Sequence, residues 1–125
     1  MAETLTVYVA GPYTHGDTAE HVHRAVQVGL AIRRAGHVPF IPHLYHLAHL
    51  LCPSPYEFWM ALDLAWLSRC DCVVRIPGHS PGAEREVEAA KAMGKPVYYN
   101  LDVFLQAHGP KPVPVEETIQ QLLEG

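Results

Sequence analysis

The chain has 125 residues, the size of one ordinary domain and long enough to bury a core. With 49 % hydrophobic and 18 % charged residues it reads as globular and ordered. A formal charge of −4, with nine Lys plus Arg and no basic run, argues against a surface for duplex nucleic acid, though not against a site for one nucleotide. Three cysteines (Cys52, Cys70, Cys72) make no disulfide framework and suit a reducing compartment. There is no apolar run of membrane-spanning length and no basic-then-apolar leader, so the expectation is a soluble, cytoplasmic domain over residues 1–125 with no membrane partner.

The first element is a β-branched, apolar strand over Thr4–Ala10, ended by Gly11-Pro12. A loop follows through Tyr13, His15 and Gly16, with Asp17 or Thr18 as the cap of a helix that runs to about Ala35 and stops at Gly36. His37–Ile41 reads as a second strand, closed by Pro42. His43–Cys52 has room for one or two helical turns. Ser54, Pro55 and Glu57 have the spacing of a capping box, and they predict a helix from Pro55 to about Arg69. A buried strand over Cys72–Ile76 comes next, then a Pro/Gly turn and a helix over about Ala83–Met93, ended by Gly94. Val97–Asn100 is a fourth strand. The tail from His108 to Val115 is Pro-rich and extended, and Glu116–Leu123 is a last short helix.

Strands alternating with helices, with no tight hairpin signal, predict a three-layer α/β fold on a parallel sheet. The glycine-containing loops follow the strand C-termini. Open α/β sheets bind ligands along that edge.

The carboxylates of two helices separate by face when counted at about 100° per residue. Glu84 and Glu88 fall on the solvated side of the helix after the third strand. Glu86 falls with Ala90 and Met93, on the flank of the apolar side, and solvation does not explain it. Asp63 sits among the large apolar side chains of the preceding helix. A half-buried aspartate either pairs with a neighbouring loop or arginine, or belongs to a site. Asp71 reads as a turn or capping residue. Ser80 reads as an N-cap, a ligand contact, or both. Two carboxylates on separate elements, facing one edge pocket, suit chemistry at an acetal-like carbon: one attacks or stabilises the cationic carbon and the other handles protons.

Three segments carry a resemblance. YVAGPY at Tyr8–Tyr13, DLAWL at Asp63–Leu67 and SPGAERE at Ser80–Glu86 resemble the nucleoside 2-deoxyribosyltransferase superfamily, over about Leu5 to Tyr99. That superfamily includes base-exchanging transferases and 2′-deoxynucleoside 5′-phosphate N-hydrolases. The resemblance implies a flavodoxin-like fold with a four- to five-stranded parallel sheet and a homo-oligomer, dimer or higher, in which a neighbour helps close the site. It implies Glu86 as the nucleophile that forms a glycosyl-enzyme, Asp63 as the carboxylate that contacts the substrate and assists proton transfer, and Tyr8 as the hydrogen-bond partner of the nucleophile. Gly82 matches a glycine that lets backbone approach the ligand. Ser80 tilts the resemblance toward the nucleotide hydrolases, in a small branch of the superfamily. Glu84 departs from the glycine common in better-known members, and Val113–Val115 is the candidate fifth strand.

The expected activity is therefore cleavage of the base–sugar bond of a nucleoside or nucleoside 5′-monophosphate, by an N-glycosidase or deoxyribosyltransferase without metal or cofactor. The alternative is a non-catalytic nucleotide-binding or sensor module on the same fold. Gly11, Tyr13, His15 and Gly16 are candidates to hold a 5′ group, and His43 and Tyr45 to line the substrate. His43, His46 and His49 share a three-residue spacing that a metal set would use, but no carboxylate is interleaved. A surface position is expected for His49. Arg75, His79 and Arg85 flank the site and are read either as reaching it or as facing solvent.

Overall fold

The computed structural model describes residues 3–109 and 123. Four strands form one sheet: β1 (Thr6–Ala10), β2 (Val38–Phe40), β3 (Cys72–Arg75) and β4 (Val97–Tyr98). Their order is β2-β1-β3-β4 and every pairing is parallel. The helices are α1 (Thr18–Arg34), α2 (His46–Leu51), α3 (Tyr56–Leu67), α4 (Pro81–Ala92) and α5 (Leu101–His108), with a 3₁₀ turn at Pro42–Tyr45 leading into α2. This is the expected α/β fold, with four strands among the described residues.

The strand alternation sorts the core into two layers. Val7 and Val9 of β1 and Cys72 and Val74 of β3 face Ala25 and Ile32 of α1 and Phe104 of α5. Tyr8, Ala10 and Val73 face the other way, onto Leu67 of α3 and Ala83 and Ala90 of α4. The register pairs Tyr8 with Val73 and Ala10 with Arg75, which puts Tyr8 and Arg75 on the α3–α4 side. The sheet order reverses direction between β1 and β3. The loops leaving their C-terminal ends diverge there and open a crevice.

The caps explain the element ends. The Asp17 side chain accepts from the backbone N–H groups of Ala19 and Glu20, and Ser80 accepts from that of Ala83, each a cap of about 1 kcal/mol. Gly36, at φ 96°, turns the chain after α1. The Asp71 carboxylate accepts from the Thr6 N–H at 2.8 Å, while its own N–H donates to the Thr6 carbonyl. It braces the sheet at the edge away from the crevice, as the turn reading required.

Two expectations need correction. The capping box at Ser54 does not form: Pro55 is the cap residue of α3 and makes no side-chain cap bond, and Ser54 Oγ donates to the Cys52 carbonyl instead. Prolines on both sides of Ser54 hold it outside the helix geometry. The segment after β4 is also helical, because Asn100 ends no strand but caps α5, its side chain accepting from the Val103 N–H at 2.8 Å. The candidate strand at Val113–Val115 and most of the helix expected over Glu116–Leu123 lie outside the described residues. Among the described residues, no helix is long and apolar enough to cross a membrane.

Candidate active site

The crevice is a cavity of about 350 Å³. The loop after β1 supplies Gly11, Tyr13 and Thr14; the turn into α2 supplies His43 and Tyr45; α3 supplies Tyr56, Trp59, Met60 and Asp63; α4 and its cap supply Ser80, Gly82, Ala83 and Glu86. The volume falls within the range of small-ligand sites, and most of the lining is aromatic or apolar.

Glu86 lies at the cavity floor and is 5 % exposed. One turn from the start of α4, its side chain crosses to β1, where Tyr8 donates its hydroxyl proton to Glu86 Oε2. Tyr8 is itself fully buried, and burial, with Glu86 beside it, holds its phenol well above the ordinary pKa, so it stays a donor. Asp63, half-buried on α3, lines the same cavity and couples electrostatically to the Glu86 carboxyl. Burial is the main cause that lifts both acids: Glu86 to about 8, with the Tyr8 hydrogen bond pulling down and the Asp63 charge pushing up, and Asp63 to about 7. The two form a coupled pair that keeps a proton near neutral pH, one carboxylate and one carboxylic acid in a dry pocket. That combination supplies a nucleophile or cation stabiliser and a proton donor within one cavity.

Two residues apart on α4, Glu84 and Glu86 have opposite fates. The Glu84 side chain is 62 % exposed and accepts from the Arg75 guanidinium at 2.8 Å. Arg75 is buried at the end of β3 and also donates to the carbonyls of Ile76 and Gly78, so it ties the β3–α4 loop to the helix that carries Glu86. Its charge lowers the pKa of Glu86, against the effect of burial. Glu84 thus points outward, away from the cavity.

The remaining candidates divide. Tyr13 lines the cavity and its hydroxyl meets His46 Nδ1 at 2.5 Å. His43 is 5 % exposed; its Nε2 donates to the Pro12 carbonyl at 2.9 Å, which leaves Nδ1 as an acceptor without a partner among the described residues. Burial lowers its pKa, so the ring is neutral. Ser80 and Gly82 line the cavity, and a Cβ on Gly82 would stand 3.1 Å from the Tyr56 hydroxyl, narrowing the entrance. A Cβ on Gly11 would stand 3.0 Å from Ile76 Cβ, so that glycine serves close packing of the two diverging loops.

His15 lies outside the main cavity, in an adjoining cleft with Thr14, Ser80, Gly82 and Arg85, and its ring meets that of His79 edge-on at 5.2 Å. Gly16 lines neither space. Its φ of 91° makes the turn into α1, which glycine adopts without strain, so its role is in the loop. Arg85 is held by Glu57 at 2.7 Å over the Tyr56 ring.

His49, expected at the surface, lines the cavity, and its Nδ1 accepts the Trp59 indole N–H at 2.8 Å. The three histidines of the His43–His49 segment therefore have three separate partners: Pro12, Tyr13 and Trp59. Among the described residues no group of three His, Cys, Asp or Glu side chains is placed to hold a metal ion. Tyr56, Trp59 and Met60 were not singled out as lining residues in the sequence. Their signal was available in the helix phase: Trp59 and Asp63 lie one turn apart, so a site at Asp63 brings Trp59 with it.

Solved structures share this architecture. A 2-deoxyribosyltransferase from the psychrotolerant bacterium Bacillus psychrosaccharolyticus is 26 % identical, with a TM-score of 0.52 over 74 % of this chain and 69 % of that one. A 2-desoxiribosyltransferase from Leishmania mexicana is 22 % identical, with a TM-score of 0.56 over 74 % of this chain and 61 % of that one; that likeness is one of fold. No curated protein matches the chain. Residues 5–100 match the family described as Domain of unknown function (DUF7768), and with most of its length covered the chain belongs to that family.

Proposed function

We propose that the chain cleaves the N-glycosidic bond of a nucleoside or nucleoside 5′-monophosphate, with Glu86 as nucleophile, as an N-glycosidase or a deoxyribosyltransferase. The observation that carries the reading is the pair Glu86 and Asp63 lining one aromatic-walled cavity, with the buried Tyr8 hydroxyl donating to Glu86 from behind. The bacterial neighbour named as a 2-deoxyribosyltransferase supports the reaction class.

In the first step a Glu86 oxygen bonds to the anomeric carbon as the carbon–nitrogen bond breaks. The electron pair of that bond leaves on the base. With Glu86 at about 8 and Asp63 at about 7 the pair's proton rests on Glu86 in the free chain, so it passes to Asp63 as the nucleophile is freed, and the Asp63 carboxylic acid then gives it to the base. In the second step water or an acceptor base attacks the same carbon, Asp63 takes the proton back, and the Glu86 ester opens. Two displacements retain configuration at the anomeric carbon. Tyr8 holds Glu86 Oε2 throughout and lowers the cost of the anion. Tyr45, Tyr56 and Trp59 provide flat walls for a base, and His43 Nδ1 provides an acceptor for a hydroxyl. A 5′ group would meet Tyr13, Ser80 and the cleft of His15 and Arg85. The cytoplasm is the proposed location and a homo-oligomer the proposed state.

The test is incubation with a panel of nucleosides and 5′-monophosphates, read by chromatography for free base, with and without an acceptor base. Release without acceptor identifies a hydrolase, and exchange only with acceptor a transferase. Saturable binding with no release of base from any member overturns the reading in favour of a nucleotide-binding module.

A further inference from the structure

The crevice is braced by a residue that does not line it. Arg75 ends β3, is 6 % exposed, and shares the α3–α4 side of the sheet with Tyr8. Its guanidinium donates to the Ile76 carbonyl, to the Gly78 carbonyl at 2.9 Å and to the Glu84 carboxylate at 2.8 Å. Ile76 and Gly78 are also where the two diverging loops touch. Ile76 stands against Gly11, and a Cβ on Gly78 would lie 2.8 Å from Pro12 Cγ. The φ of Gly78 is 131°, a conformation that favours glycine, so the loop is fitted to Pro12 at that point. The Pro12 carbonyl in turn accepts from His43 Nε2 in the cavity wall. One guanidinium thus holds the β3–α4 loop where it meets the β1–α1 loop. Through Glu84 it also holds the first turn of α4, two residues before Glu86.

A loop carbonyl needs a donor, not a charge. Taking an arginine out of water is costly, and its charge persists at any pH the fold meets. The Glu84 carboxylate that pairs with it is mostly exposed, where solvent screens it. The groups that act on Glu86 are Tyr8 from β1, Asp63 from α3 and Arg75 from β3, and His43, His46 and His49 line the same cavity. Of the first three, Arg75 is the permanent cation.

We propose that Arg75 is a positioning residue of this site: it fixes the two loops that form the crevice and presents a permanent positive charge to Glu86 from the end of β3. Glu86 must become an anion in a dry cavity beside a second acid, and the Tyr8 hydroxyl favours that anion with one hydrogen bond. A cation held outside the cavity adds to this without competing for the substrate. Glu84 takes up part of the Arg75 charge and so adjusts how much of it acts on Glu86. The effect on Glu86 stands by itself, while its use in catalysis rests on the reaction proposed above.

An NMR titration of the Glu86 carboxyl carbon, identified by its loss in Glu86→Gln, reads the charge, and base release reads its use. Arg75→Gln keeps donors for the loop carbonyls and drops the charge. Arg75→Lys keeps the charge and drops the planar fork. The Glu86 midpoint moves to higher pH in Arg75→Gln and stays near the wild type in Arg75→Lys. At about pH 7, kcat/KM falls by ~10-fold or more in Arg75→Gln, and Arg75→Lys recovers most of it. Glu84→Gln changes an exposed position and serves where an Arg75 variant does not fold. It keeps an acceptor for Arg75 and removes the opposing charge, so the midpoint moves to lower pH. A carboxylate that points into solvent acts weakly on Glu86 by itself, so this shift runs through Arg75. A brace without an electrostatic role would shift the Gln and Lys variants of Arg75 alike and leave Glu84→Gln at the wild-type midpoint, and that result overturns the proposal. An unchanged kcat/KM in Arg75→Gln overturns it as well. Midpoints that move as expected, with no base released from any nucleoside or 5′-monophosphate, uphold the action of Arg75 on Glu86 and reject the reaction instead.

Discussion

The two sides of the sheet are built from the same strands and have different work. On the α1–α5 side, Phe104 is fully buried among Val9, Ile32 and Val74, and the polar groups close on one another: Leu5 N–H donates to His37 Nδ1, His37 Nε2 meets the His108 carbonyl at 2.6 Å, and Tyr98 meets His108 at 2.6 Å. On the α3–α4 side, a cavity stands where side chains would otherwise interdigitate, and two acids are held above their ordinary pKa at its floor. Alternation along β1 sends Val7 and Val9 to one side and Tyr8 to the other. One strand therefore contributes core to the first and the hydrogen-bond partner of Glu86 to the second. A carboxyl pair in a dry pocket lowers stability, and proteins keep such arrangements where function uses them.

Substitutions on the two sides should separate activity from stability. The largest effect belongs to Glu86→Gln or Glu86→Ala: base release falls by ~10³-fold or more while the melting temperature holds or rises, because a strained buried acid is gone. Steady-state kinetics beside thermal melts read both. Near-wild-type turnover in either variant would remove Glu86 from the reaction. Phe104→Ala does the reverse. Loss of a fully buried ring costs about 3–5 kcal/mol in chemical denaturation, and activity per folded molecule stays as it was. A matching loss of kcat in the folded fraction would mean the two sides are not independent.

Tyr8→Phe sharpens the comparison within the site. Removing the hydroxyl donor deletes the interaction that lowers the pKa of Glu86, so turnover falls by roughly 10- to 100-fold and the pH at which Glu86 ionises moves further up. An unmoved pH profile would show that the hydrogen bond only packs the ring.

The smallest effect is a pH slope. Both acids bind their proton more tightly folded than unfolded, since their pKa values rise to about 8 and about 7. Their contribution is therefore fully present below the ordinary carboxylate range and is lost as pH rises through the folded values. Stability therefore falls as pH rises from the ordinary carboxylate range to about 8, and Glu86→Gln flattens that slope. His43, whose pKa burial lowers, has the opposite sign and acts below this window; Cys70 and Cys72, lifted to about 11 and 12, act above it. A slope that Glu86→Gln leaves unchanged would place the excess proton elsewhere.

The fold was legible because its signals are local. β-branched runs, the Asp17 and Ser80 caps and Gly36 fall within a few residues of the boundaries they set. The helix α5 was missed although Leu101, Phe104, Leu105 and His108 have helical spacing; eight residues beside a Pro-rich tail give a short signal. Glu86 was legible because a carboxylate on an apolar flank has no solvation explanation, and the contrast with Glu84 came from helix phase alone. His49 was not legible, since its place depends on Trp59, ten residues away on another helix. The buried position of Arg75 follows from β3 register and from three acceptors in the next loop and helix, a long-range outcome that strand pattern leaves open.

The central claim is a covalent bond between Glu86 and the sugar. Fluorine at the 2′ position withdraws electrons from the cationic transition states and slows both steps, so a 2′-fluoro nucleoside or nucleotide with a good leaving base lets the intermediate accumulate. Intact-mass and peptide measurements on the quenched wild type should then show one glycosyl adduct, on the peptide that contains Glu86, and none in Glu86→Gln. Release of base with no adduct, or an adduct on another residue, would contradict the account.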